Sequence, residues 1–83
     1  MIQSAYVTLE EVAINNRIAR NLKAFRTSRN LTQRQLAQVI GRSDRSLESY
    51  ENERNCVPAF VLVQLANHFD VPLVTFTRKQ KGE

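Results

Sequence analysis

The chain has 83 residues, enough for one domain with a small core and too few for a separate sensing or catalytic domain. Its formal net charge of +4 points to a polyanionic partner. One cysteine, Cys56, and one histidine, His68, exclude an internal disulfide and a zinc site and suit a reducing cytoplasm. No apolar run nears the roughly 20 residues of a bilayer span, and the N-terminus lacks a signal-peptide pattern.

Charge is unevenly placed. Residues 1–16 hold Glu10 and Glu11 and no Lys or Arg, after which Arg17, Arg20, Lys23, Arg26, Arg29 and Arg34 follow with no acid among them. The sequence reads as a single domain over 1–83, with an uncommitted N-terminal arm over 1–7 and a basic tail over 77–83.

A first helix starts after Thr8, because Thr8 and Glu11 have capping-box spacing. Ile14, Ile18, Leu22 and Phe25 recur as one apolar stripe, and fraying is expected near Arg29 and Asn30. A second capping box, Thr32 with Gln35, opens a helix at Gln33 whose apolar face is Leu36, Ala37 and Ile40. Gly41 ends it, since glycine enters the left-handed region without a Cβ penalty. Ser43 is the N-cap of a third helix running to about Glu51, with Leu47 and Tyr50 on one side. Residues 52–57 read as a loop, and Pro58 suits the first turn of a fourth helix with Leu62, Leu65, Ala66 and Phe69 inward. Pro72 starts a short fifth helix, in competition with a strand over the β-prone run 74–77.

The informative feature is a spacing. Gln33, Ala37, Gly41 and Leu47 occupy positions one, five, nine and fifteen of a unit. A small residue lets two helices touch at a sharp angle, a residue free to take positive φ makes the turn, and an apolar anchor holds the second helix to the core. Such a unit places its second helix in the DNA major groove. From about Ile18 to Leu73 the chain resembles the Cro/repressor (XRE-like) family of helix-turn-helix proteins. The residues that carry the likeness are Leu31-Thr32-Gln33, Leu36-Ala37, Ile40-Gly41, Leu47, Glu51-Asn52 and Leu65-Ala66. The resemblance implies an all-α, compact four- to five-helix lambda-repressor-like domain that binds double-stranded operator DNA.

The resemblance also implies roles. Arg26 and Glu51 match an ion pair that joins the first helix to the end of the recognition helix. Gln33 and Asn52 match phosphate contacts, and Ser43, Asp44, Arg45 and Ser49 match base-reading positions. Thr32 and Arg42 complete the expected DNA-binding set. Arg42 stands where the family has an apolar residue, and Glu53 replaces a frequent glycine. Chemically, Arg45 suits bidentate contact with guanine O6 and N7. Asp44 either accepts from a cytosine N4 amino group or simply favours the positive end of its own helix.

The expected function is a cytoplasmic, sequence-specific repressor binding a palindromic operator as a homodimer. Phe60, Val61, Val63, Val74 and Phe76 are the apolar residues left over for a dimer interface, with Phe60 or Phe76 capping the monomer core as the alternative. An antitoxin of a toxin pair and a protein-binding adaptor on the same fold are the other readings. No nucleophile–base set or phosphate-binding glycine loop is present, so no enzyme, cofactor, metal or small-molecule ligand is expected.

Overall fold

The computed structural model describes residues 8–79; the expected N-terminal arm and the tail beyond Lys79 lie outside them. The described residues form five helices and no strand: α1 (Leu9–Ser28), α2 (Gln33–Val39), α3 (Asp44–Glu51), α4 (Ala59–Phe69) and α5 (Val74–Thr77). None is long and apolar enough to cross a membrane.

Local chemistry sets the helix starts. Both capping boxes are closed: Thr8 with Glu11, and Thr32 with Gln35. Ser43 Oγ accepts from the Ser46 amide at 3.2 Å to cap α3. Pro58 stands at the N-cap of α4, one position before the helix.

The first three helices end alike. The residue after each C-cap adopts positive φ: Asn30 at 57°, Gly41 at 66° and Glu53 at 64°. The next amide then reaches back to a carbonyl of the last turn. Leu31 donates to Arg26 O at 3.1 Å, Arg42 to Ala37 O at 3.0 Å and Arg54 to Ser49 O at 2.9 Å. These are Schellman endings, which turn the chain sharply and satisfy carbonyls that the helix leaves open.

The core joins all five helices. Leu22 and Phe25 from α1, Leu36 and Ala37 from α2, Leu47 and Tyr50 from α3, Val61, Leu62, Leu65 and Ala66 from α4, and Phe76 from α5 are buried. Phe25 meets Phe69 and Phe76 edge to face, with centroids 5.1 and 5.0 Å apart. Asn21, also buried, donates Nδ2 to the Arg78 carbonyl at 2.8 Å and ties the C-terminal segment to α1.

Two expectations are corrected. Val61 and Phe76, assigned to a dimer interface, are fully buried. Val61 turns inward because α4 buries two adjacent rows, not one, and Phe76 because α5 folds back onto α1 beside Phe25. Ile14, expected on the buried stripe, is exposed, since the first turns of α1 extend past the elements they would pack on. The run 74–77 forms the expected fifth helix, and the competing strand is not adopted.

Candidate functional site

α2 and α3 pack closely because Ala37, with its small side chain buried, sits between them. Gly41 makes the turn at φ 66° with open space around the position of a Cβ, so backbone conformation and not crowding demands glycine there. Leu36 and Leu47 have no exposure and anchor the pair to the core. The opposite side of α3 is left to solvent and carries Asp44 and Arg45.

Beneath this face lies an ionic lock. Glu51, with a side chain 1% exposed, accepts from Arg26 Nε at 2.6 Å, Arg26 Nη2 at 3.0 Å and Gln33 Nε2 at 3.1 Å. Arg26 Nη1 donates to the Leu31 carbonyl at 2.8 Å. The Glu51 hydrogen bond raises the Arg26 pKa above the ordinary arginine value, against burial that lowers it, so the pair stays charged on the arginine side. One carboxylate thus joins the end of α1, the start of α2 and the end of α3.

Gln33, Asp44, Arg45 and Glu48 line one shallow, open depression on the outer face of α2 and α3. Thr32 and Ser43 lie at the starts of the two helices as their caps. Asn52 stands at the far end of α3, about 12 Å along the axis, and donates Nδ2 to Glu48 Oε2 at 2.9 Å. Ser49 is half-buried on the same helix. Arg34 and Asp44 approach to 3.8 Å while largely solvated, a contact worth little. Arg42 is exposed, and its guanidinium stacks over the Phe60 ring at 5.1 Å. The guanidinium that stands where the family has an apolar residue therefore has an aromatic support from α4.

Two residues escape the sequence reading. Glu48 lies four positions after Asp44 and so shares its face. Arg54 donates Nη1 to both Glu48 oxygens, at 3.0 and 3.1 Å, from beyond the helix end. The i, i+4 spacing marks Glu48; nothing in the sequence marks Arg54, because its approach depends on the left-handed turn at Glu53.

The arrangement is a helix presented on a rigid two-helix support, with guanidinium, carboxylate and amide groups on its outer side. That is the equipment for hydrogen bonding to base edges and phosphates.

A helix-turn-helix family model, HTH_3, matches residues 22–76. The crystal structure of an HTH_3 family transcriptional regulator from Vibrio cholerae is similar, with 28% identity and a TM-score of 0.70 over 78% of this chain and 36% of that one. A transcriptional regulator from Listeria innocua shares the fold at 18% identity, with a TM-score of 0.67 over 80% of this chain and 62% of that one. The chain thus spans less than two thirds of either regulator. No curated protein matches the sequence.

Proposed function

The chain belongs to the HTH_3 helix-turn-helix family, and from that premise we propose that it is a cytoplasmic transcriptional repressor that binds a palindromic operator in double-stranded DNA as a homodimer. One observation carries the reading: the exposed face of α3, with Asp44 and Arg45, is aligned beside Gln33 on the outer side of a two-helix unit whose inner side is fixed by Leu36, Leu47 and Glu51. α3 enters the major groove. Arg45 reads guanine, Ser43, Asp44 and the half-buried Ser49 contact neighbouring base edges, and Gln33, Thr32, Arg42 and Asn52 approach phosphates.

Two copies would set their α3 helices about 34 Å apart, one turn of DNA. Phe60 and Val63 on α4 and Val74 on α5 remain exposed and supply the apolar surface for that association, joined by Leu73. Occupying promoter DNA against polymerase then represses transcription. Selection of binding sites from random duplex DNA, followed by light scattering of the complex, tests the reading. The expected result is an inverted repeat bound by two copies; failure to enrich any sequence would refute DNA recognition, and a single asymmetric site bound by one copy would refute the dimer.

A further inference from the structure

Glu48 stands one turn beyond Asp44 on α3, about 6 Å further along the axis, in the depression it shares with Gln33, Asp44 and Arg45. Its side chain is 37% exposed. Arg54 Nη1 reaches both of its oxygens, and Asn52 Nδ2 donates to Oε2, so the carboxylate is held in one orientation. A carboxylate only accepts hydrogen bonds and has about four lone-pair sites. Its two partners leave acceptor capacity on the solvent side.

Resting on the DNA binding proposed above, we infer that Glu48 is a specificity-determining residue that accepts a hydrogen bond from the N4 amino group of a cytosine in the major groove. The groove's own chemistry selects the base. Only cytosine N4 and adenine N6 offer donors there. Adenine sets N6 beside the acceptor N7, whose lone pair faces the second carboxylate oxygen and is repelled by it. Cytosine sets N4 beside a C–H group, which carries no lone pair. Guanine O6 and thymine O4 are acceptors and are repelled. Arg45, a pure donor in the same depression, takes the complementary role, so donor and acceptor side chains divide the reading between two base pairs. Arg54 offsets the repulsion between Glu48 and nearby phosphates and keeps its carboxylate aimed outward.

The test is binding-site selection from random duplex DNA by the full chain, E48Q and E48A, with R45A as reference. The parent fixes a C·G pair at one position. E48Q shifts that position toward A·T, because a side-chain amide matches adenine N6 and N7. E48A loses about tenfold discrimination there, the scale of one hydrogen bond to a charged group, while the pair relaxed in R45A stays fixed. Parental site preference in E48Q and E48A, with affinity changed equally for all sequences or not at all, would make Glu48 only a clamp for Arg54 and Asn52 and overturn the inference. A parent that enriches no sequence overturns the DNA-binding reading itself, an outcome distinct from the first.

Discussion

Gln33 donates its side-chain amide to Glu51 Oε1 at 3.1 Å, which ties a residue on the outer face to a carboxylate inside the protein. The same carboxylate holds Arg26 through two nitrogens. The orientation of the candidate interface and the stability of the domain therefore share one group, and changes at Glu51 act on both.

Glu51→Ala is expected to cost about 3–5 kcal/mol, because it strands a largely buried guanidinium. Replacing both partners, as Arg26→Met with Glu51→Leu, costs much less, since no charge is left behind. Urea denaturation of the three proteins checks this. A single mutant as stable as the parent would show that the lock contributes nothing.

Arg45→Ala is expected to weaken binding to the selected site by about 1–3 kcal/mol and to relax preference at one base pair. Gln33→Ala weakens all sequences nearly alike and leaves the salt dependence of binding almost unchanged, because a neutral amide neutralises no phosphate and releases no counterion. Competition gel shifts over a series of salt concentrations separate the two effects. Unchanged site preference in Arg45→Ala would contradict its base-reading role.

Glu53 holds φ at 64° with a Cβ, where glycine carries no such penalty. Glu53→Gly is expected to stabilise the domain by roughly 0.5–1 kcal/mol, after allowing for the greater freedom of glycine in the unfolded chain. An exposed contact is given up, the Asn16 amide 3.2 Å from Glu53 Oε1, and it offsets only part of the gain. The melting temperature should rise by about 2–8 °C; a fall in scanning calorimetry would mean that the side-chain contact outweighs the backbone.

The dimer proposal separates neighbours on α4. Phe60→Asp with Val63→Asp alters two exposed positions and is expected to give a folded monomer with weakened operator binding. Val61→Asp places an unpaired charge in the core and is expected to unfold the domain. Light scattering and circular dichroism distinguish the two. A parent that is monomeric at micromolar concentration, or a double mutant that stays dimeric, would remove the proposed interface.

The helix starts were legible because caps are local: Thr8, Thr32 and Ser43 each bond to an amide three positions on. Gly41 was legible for the same reason, whereas Glu53 takes the left-handed turn with no residue preference to announce it. The buried side of α4 was only half legible. Its periodicity marks Leu62, Leu65 and Ala66, but whether Val61 or Phe60 joins them depends on where α2 and α1 lie. Ile14 shows the converse, a periodic stripe that outruns its partners. At the candidate site, the motif spacing marked Gln33 and the family resemblance marked Arg45, whereas the Gln33–Glu51 bond joins residues 18 positions apart and the Glu48 clamp runs across a helix end. Such contacts arise from packing and leave no local pattern.

The clasp between Asn21 and Arg78 spans 57 positions of chain, and Phe25 and Phe76 meet beside it. Translation at about 5–20 residues per second puts roughly 3–11 s between the appearance of the two halves of that clasp. Throughout that interval α1 has been made, yet the aromatic side of Phe25 lacks its last partner. Until Phe76 is made, the side of α1 that it covers in the folded domain has no partner to bury it. A chain cut ahead of Phe76 is expected to leave the apolar side of Phe25 uncovered and to be prone to aggregation and proteolysis.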